Sequence, residues 1–457
     1  MTSLPIDLIK KYDRAGPRYT SYPTALEFSP SFDAEAYRQN LLATNQSGDR
    51  PISLYFHLPF CEKVCYFCAC NVVYTNKRAR AVPYVEQVIR EMEMVQPLIH
   101  PDRKVTQLHW GGGTPTFLTP ELMVTLQEAT QRLFSFAEDA EVSVEVDPRE
   151  ASDAHLEALA KSGFNRLSMG VQDFSPDVQK AVNRIQPYDL TADRLQKARS
   201  LGFTGVNFDL IYGLPKQTLE TMRTTLEHTI ALRPDRVAFF NFAYLPELKK
   251  HMRRINPDDM PSPDTKLLLL QLAVDMLSEG GYRYIGMDHF ALPEDELCRA
   301  LDDGSLHRNF QGYTTHAEAD LYGFGVTSIS EIGDTYSQNE KINEVYYSRL
   351  EQDMFPTARG VRLQQDDLIR RAVIMTLINR MSVDLGDIGS RFGIEPLAYF
   401  DDDLAELRQF EDDGLLTRDG LCLTVTEPGR FLIRNICMCF DAYLKREPEA
   451  RKFSRTI

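Results

Sequence analysis

Three thiols sit in one short loop, Cys61-Glu-Lys-Val-Cys65-Tyr-Phe-Cys68, directly after the apolar stretch Ile52–Pro59. Thiolates this close together hold a soft metal ion or an iron–sulfur cluster. Such clusters usually take four cysteine ligands, so a loop offering three leaves one iron open to a substrate or cofactor. Electron storage needs no such opening, whereas catalysis at the cluster does. A structural zinc site is a competing reading. It ordinarily uses two paired knuckles, and the chain has no second Cys-x2-Cys; Cys437-Met-Cys439 has the wrong spacing, and Cys68-Ala-Cys70 brings its thiols too close for the usual knuckle. Unpaired cytosolic thiols are a third reading, weakened by the crowding of four of the eight cysteines into residues 61–70.

The elements that must position this loop repeat. From residue 52 to 245, apolar β-branched runs of strand length alternate with amphipathic runs of helix length. The pattern predicts strands at Ile52–Leu58, Val105–Trp110, Glu141–Val146, Arg166–Val171, Val206–Tyr212 and Val237–Tyr244. Thr119-Pro120 reads as N-cap and first helical residue, and Ser175-Pro176 repeats the device. Gly163 and Gly202 close helices and open the next strands. Alternating β and α implies a parallel sheet, either doubly wound or a partial barrel. Both architectures place ligands at the carboxyl ends of the strands. The polar residues collect there: the cysteine loop, Gly111–Thr114, Glu145 and Asp147, Gln172 and Asp173, Asp209, and Asn241. Gly111-Gly112-Gly113 suits a backbone that approaches a ligand closely. A phosphate loop competes for this glycine run, but the lysine and Ser/Thr of a P-loop are missing.

The 457 residues, 43% hydrophobic and 26% charged, suffice for two to three domains. A formal net charge of −15 argues against a general nucleic-acid or anionic-membrane binder. No apolar run approaches a membrane span, and Met1–Asp13 lacks the apolar core of a signal peptide. The expectation is a soluble, cytoplasmic, monomeric protein. Ile6–Tyr12 reads as a short helix, and Gly16–Pro23 cannot continue it. Residues 246–345 read as a helix at Thr265–Ser278, a strand at Tyr284–Phe290 and an irregular stretch to Leu321. Helices are predicted at Asp366–Arg380, Leu397–Phe410 and Gly429–Leu444, with a hairpin over Leu415–Thr426 turning at Asp419-Gly420. This is a winged-helix-like arrangement, but residues 361–446 carry 15 acidic against 11 basic side chains, which suits a cap better than a DNA-binding module. The expected organisation is an arm at 1–50, a barrel with its extension at 51–350 and a mainly helical cap at 351–457.

The cysteine motif, with Phe67 before its last member, resembles the signature of the radical S-adenosylmethionine (SAM) superfamily. The flanks Tyr55-Phe-His57-Leu-Pro-Phe60 and Cys70 are similar to those of the oxygen-independent coproporphyrinogen III oxidases. The likeness continues through Gly16–Phe28, His109–Thr116, Glu145–Glu150, Asn165–Phe174, Asp209–Gln217, Gly286–Phe290, His307–Thr315 and Arg434–Asp441. The resemblance implies an α/β fold, an open (β/α)6 partial TIM-like barrel. It implies a 4Fe-4S cluster held by Cys61, Cys65 and Cys68, with SAM on the open iron, and two SAM molecules in all. By the same token Tyr55, Phe67, Gly112, Gly113, Thr114, Glu145, Gln172, Arg184, Asp209, Ala243 and Ile329 would contact the cofactors.

The implied reaction is oxidative decarboxylation of two propionates of coproporphyrinogen III to vinyl groups, driven by a 5′-deoxyadenosyl radical made from SAM. A low-potential donor of the flavodoxin type would supply electrons. A substrate with four propionates requires local arginines in so acidic a chain; Arg18, Arg308 and Arg434 lie in matching stretches. His57, beside the cysteine loop, is either a packed histidine or one that tunes the cluster. Two other functions compete. A haem-binding chaperone would carry a His-Asn-x-x-Tyr-Trp pattern, and the one tryptophan here is Trp110 in the glycine loop. A radical SAM tetrapyrrole methyltransferase is the other.

Overall fold

The computed structural model describes residues 6–446 and residue 453. The outermost parts of the expected arm and cap therefore lie outside the described residues. The chain groups into two discontinuous units: Phe28–Ser262 with Glu318–Arg362, and the residues up to Glu27 with Pro263–Ala317 and those from Leu363 onward.

In the first unit six strands pair in parallel: β1 (Ile52–Leu58), β2 (Val105–Gly112), β3 (Phe136–Val146), β4 (Arg166–Gln172), β5 (Gly205–Tyr212) and β6 (Arg236–Asn241). Parallel neighbours need crossovers, usually helical. The helices Ala81–Val95, Pro120–Leu133, Asp153–Lys161, Tyr188–Ser200 and Leu219–Leu232 supply them. Every residue of β1 but Tyr55 is buried, as a strand covered on both faces requires. The strands lie in the order of the chain, with no reversal of the kind that defines a doubly wound sheet. This winding is that of a partial barrel. The chain returns as β7 (Asp320–Phe324), parallel to β1 on its other edge, and continues through the antiparallel β8 (Ile329–Ile332), β9 (Thr335–Asn339) and β10 (Thr357–Arg362).

Most predicted boundaries shift by a residue or two. β3 begins at Phe136 rather than Glu141, and β6 stops at Asn241, leaving Ala243 in the loop beyond it. Thr119 caps its helix, its Oγ1 accepting from Leu122 N at 3.3 Å. Ser175 makes no side-chain cap bond; instead Asp173 Oδ1 accepts from Ser175 N at 2.6 Å. Gly163 and Gly202, at φ 89° and 90°, take the left-handed conformation expected after their helices.

In the second unit the helix Ile6–Tyr12 forms as predicted. The expected strand at Tyr284–Phe290 is a small hairpin of Arg283–Gly286 and His289–Ala291, reversing at Met287, whose φ is 48°. The stretch expected to be irregular holds a helix, Glu296–Asp303, and a hairpin of His307–Asn309 with Gly312–Thr314. The helix expected at Leu397–Phe410 is two, Pro396–Tyr399 and Asp401–Asp412, broken at Phe400. The hairpin at Leu416–Asp419 and Cys422–Val425 forms, joined by a third strand at Ser382–Asp384.

The closing segment is also interrupted. Helix Ile433–Met438 ends before Asp441, whose carboxylate accepts from Tyr443 N and from the Tyr19 hydroxyl, both at 2.9 Å. Arg434 donates to the carbonyls of Pro17 and Gly16, and Asn435 to that of Tyr12. Residues 12–22 are thereby sewn to the Arg434–Asp441 stretch, with Tyr19 and Tyr22 buried.

Candidate active site

The cysteine loop is closed at its base by a short parallel ladder, Phe60–Cys61 with Val73–Tyr74. Its backbone is tied on several sides. Tyr66 N donates to Val182 O at 2.9 Å, Asn183 Nδ2 to Val64 O at 2.7 Å, and Lys249 Nζ to Cys70 O at 2.9 Å. His251 Nε2 donates to Cys68 O at 2.7 Å. Tyr66 and Phe67 pack on a cluster of Val178, Val182, Leu214, Phe242, Met252 and Ile255. Main-chain bonds and two aromatic rings thus anchor the loop, and its thiols, none in a disulfide, remain available as ligands.

The glycine run lies against it. Gly113 N donates to Leu58 O at 2.9 Å and Thr114 N to Phe60 O at 2.8 Å. A Cβ on Gly113 would stand 2.5 Å from Phe60 O, and one on Gly112 2.7 Å from the His57 ring. No larger residue fits this contact.

Behind the glycines is a polar layer. His57 Nε2 donates to Asn71 O at 3.1 Å, since a carbonyl only accepts, so its Nδ1 accepts from the Tyr55 hydroxyl at 3.2 Å. Burial lowers the His57 pKa, although Asn71 O and Glu145 pull the other way. Both ring nitrogens are thus hydrogen-bonded. Tyr55 stacks on His109, which reaches Ser143 Oγ at 2.7 Å and stands 3.6 Å from Glu145 Oε1. Glu145 Oε2 accepts from Gly112 N at 3.1 Å. Burial raises the Glu145 carboxyl, but His109 and Gly112 N–H outweigh it, and the net shift is downward. Asp209 moves the other way, to about 6, through burial and the Glu145 charge, against hydrogen bonds from Asn207 and Ser168.

Beside the thiols is a charged triad. Asp147 bonds Arg149 through Nε and Nη2, at 3.0 and 2.7 Å, and Arg184 Nη1 at 3.0 Å. Although burial opposes it, the two guanidiniums hold the Asp147 pKa down at about 2. Arg149 Nη2 also donates to Cys65 Sγ at 3.2 Å. Arg184 Nε is buried without a hydrogen-bond partner.

The thiols, the glycine run, Glu145, Asp209 and the charged triad open onto one cavity of about 220 Å³. Cys61, Cys65 and Cys68 line it together with Phe67, Gly112, Gly113, Thr114, Glu145, Gln172, Arg184 and Asp209. Of the expected cofactor contacts, Tyr55, Ala243 and Ile329 are not in this lining: Tyr55 stands behind His57, Ala243 follows β6, and Ile329 opens β8. Sequence reasoning had not singled out Arg149, Ser168 or His109 as site residues. All three lay in matching stretches, but their contacts join strands and loops distant in the sequence.

The residues present fit an iron–sulfur cluster with a polar organic cofactor. Soft sulfur ligands face the cavity, two guanidiniums stand ready to offset the negative charge they carry when ligating, the glycine edge admits close approach, and Arg184 Nε is an unused buried donor. Comparison with known proteins agrees. Residues 55–229 match the model of the radical SAM superfamily, and residues 363–432 that of the HemN C-terminal domain. The chain is 48% identical over 450 residues to the oxygen-independent coproporphyrinogen III oxidase of Escherichia coli K12, with 98% of each chain covered. It belongs to the oxygen-independent coproporphyrinogen III oxidase family. The family's enzyme from Pseudomonas aeruginosa is 46% identical over 453 residues, covering 99% of this chain and 98% of that one. The solved structure of Escherichia coli coproporphyrinogen III oxidase, described as a radical SAM enzyme, superposes with a TM-score of 0.92 at 46% identity over 97% of this chain and all of that one. Radical SAM membership brings a 4Fe-4S cluster and SAM as cofactors.

Arg18, Arg308 and Arg434 all belong to the second unit. Arg434 spends donors on main-chain carbonyls, while Arg308 lies in the hairpin His307–Asn309/Gly312–Thr314. No helix among the described residues is long and apolar enough to cross a membrane.

Proposed function

We propose that this protein carries out the oxygen-independent oxidative decarboxylation of two propionate side chains of coproporphyrinogen III, giving the divinyl product protoporphyrinogen IX. What supports the reading most is the meeting of Cys61, Cys65 and Cys68 with Glu145, Arg184 and Asp209 around one cavity, in a chain matched almost end to end by enzymes of that name. The cluster and SAM, when bound, supply one-electron cleavage of a sulfur–carbon bond and a 5′-deoxyadenosyl radical able to take hydrogen from a propionate β-carbon.

The chain's own residues would do the rest. Cys61, Cys65 and Cys68 would ligate three irons. Gly112, Gly113 and Thr114 would meet the amino-acid portion of SAM through main-chain groups. The carboxylate of Glu145, held by His109 and Gly112 N–H, would accept from a cationic or hydroxylated part of the cofactors. Arg184 would meet polar groups of the same SAM, with Tyr55 and Phe67 around it and the cluster; Gln172, Asp209 and Ala243 would line the bound cofactors, and Ile329 would add an apolar contact. Arg18, Arg308 and Arg434 are the proposed substrate-side arginines. Residues 1–50 would act as a flap, 51–350 as the catalytic barrel and 351–457 as a cap. A cytoplasmic monomer served by a flavodoxin-type donor completes the reading.

The test is anaerobic incubation of cluster-reconstituted protein with coproporphyrinogen III, SAM and a reductant. Divinyl product with 5′-deoxyadenosine is expected. Haem binding without turnover, or a methylated tetrapyrrole with S-adenosylhomocysteine, would overturn the assignment.

A further inference from the structure

The hairpin of the second unit sets Arg308 directly across from Tyr313. The guanidinium carbon lies 4.8 Å from the centre of the phenol ring. Both side chains are more than nine-tenths buried, at 4% and 8% exposure. Arg308 Nε and Nη1 and the Tyr313 hydroxyl are buried without a hydrogen-bond partner. Gln311 Nε2, at the hairpin turn, is in the same state. Among the described residues no carboxylate forms an ion pair with Arg308. Gly286 packs directly against the hydroxyl: a Cβ there would stand 2.6 Å from Tyr313 Oη.

A buried cation without a counter-ion is strongly unfavourable, and the ring beneath it compensates in part only. Unused donors on a planar fork, with a hydroxyl nearby, suit a planar anion with two acceptor oxygens. Arg434 differs, because its Nε and Nη2 donate to the carbonyls of Pro17 and Gly16.

We propose that Arg308 and Tyr313 form a carboxylate-binding site, and that its ligand is a propionate of the tetrapyrrole substrate. The inference rests on the substrate reading above. The carboxylate of SAM has the same chemistry, so the experiment separates the two sources. Binding of coproporphyrin III, of its tetramethyl ester and of SAM is measured on wild-type protein and on Arg308→Met, Arg308→Lys and Tyr313→Phe.

Arg308→Met is expected to weaken coproporphyrin III binding about tenfold or more, with Arg308→Lys and Tyr313→Phe in between. Ester and SAM binding stay at wild-type levels. Thermal unfolding of ligand-free Arg308→Met is expected at or above the wild-type temperature, since an apolar side chain replaces an unpaired buried charge. Equal coproporphyrin III binding by wild type and Arg308→Met would overturn the site. So would loss of SAM binding with porphyrin binding intact. Wild-type protein that binds no coproporphyrin III would instead defeat the substrate reading itself, and this site with it.

Discussion

Arg149 Nη2 donates a hydrogen bond to Cys65 Sγ at 3.2 Å, and Asp147 grips the same guanidinium through two of its nitrogens. The arginine is thus aimed at the sulfur by a carboxylate, not merely near it. Hydrogen bonds and positive charge at ligand sulfurs make a cluster easier to reduce. Arg149→Leu is therefore expected to lower the midpoint potential of the reconstituted cluster, and Arg149→Lys to lie between it and wild type. Potentiometry followed by electron paramagnetic resonance reads this directly. Identical potentials in all three proteins would remove Arg149 from any tuning role.

The ligand set separates the four thiols of the loop. Alanine at Cys61, Cys65 or Cys68 is expected to abolish cluster retention and SAM cleavage. Cys70→Ala, at an exposed position, is expected to keep both. Iron and sulfide content and visible absorbance of the anaerobically purified variants decide it. A cluster lost in Cys70→Ala alone would reassign the ligands.

How much of this was legible beforehand follows from what each feature depends on. The six strands and the polar residues at their ends were readable because hydrophobic alternation and caps such as Thr119 are local. The choice of a barrel over a doubly wound sheet came from family resemblance at first, and strand order now gives its physical form. The break at Phe400 precedes the acidic first turn Asp401–Asp403, and the reversal at Met287 lies between Gly286 and Asp288; these local signals are set among apolar residues whose spacing also suits an unbroken helix and strand. The Arg149–Cys65 bond joins residues 84 positions apart and exists only once β3 lies beside the cysteine loop. The sewing of Tyr12–Tyr22 to Arg434–Asp441 is longer in range still.

Gly113 is a position of contact. With Phe60 O only 2.5 Å from the place of a Cβ, Gly113→Ala is expected to destabilise the protein by about 1–3 kcal/mol. It should also impair cluster assembly, because the glycine run and the cysteine loop share these main-chain bonds. Thermal unfolding together with iron content checks both; an unshifted Tm would contradict the close approach.

Glu91, on helix Ala81–Val95, accepts from Gly325 N, Asn339 Nδ2 and the Tyr346 hydroxyl. Burial outweighs these bonds and raises its pKa to about 7 from 4.5. A raised folded-state value means that the fold binds the proton more tightly than the unfolded chain does. The stabilisation is complete below about pH 4.5 and is lost as pH climbs through 7, by about 3 kcal/mol. Glu91→Gln is expected to flatten the stability profile between pH 5 and 8, as chemical denaturation at several pH values shows. A mutant profile with the wild-type slope would place the proton elsewhere.

In the proposed reaction a radical formed beside Cys61, Cys65 and Cys68 takes hydrogen from a propionate of the substrate. Coproporphyrinogen III deuterated at the propionate β-carbons, turned over anaerobically with SAM, tests it most directly. Divinyl product accompanied by 5′-deoxyadenosine carrying deuterium is expected. Divinyl product with wholly unlabelled 5′-deoxyadenosine would contradict it.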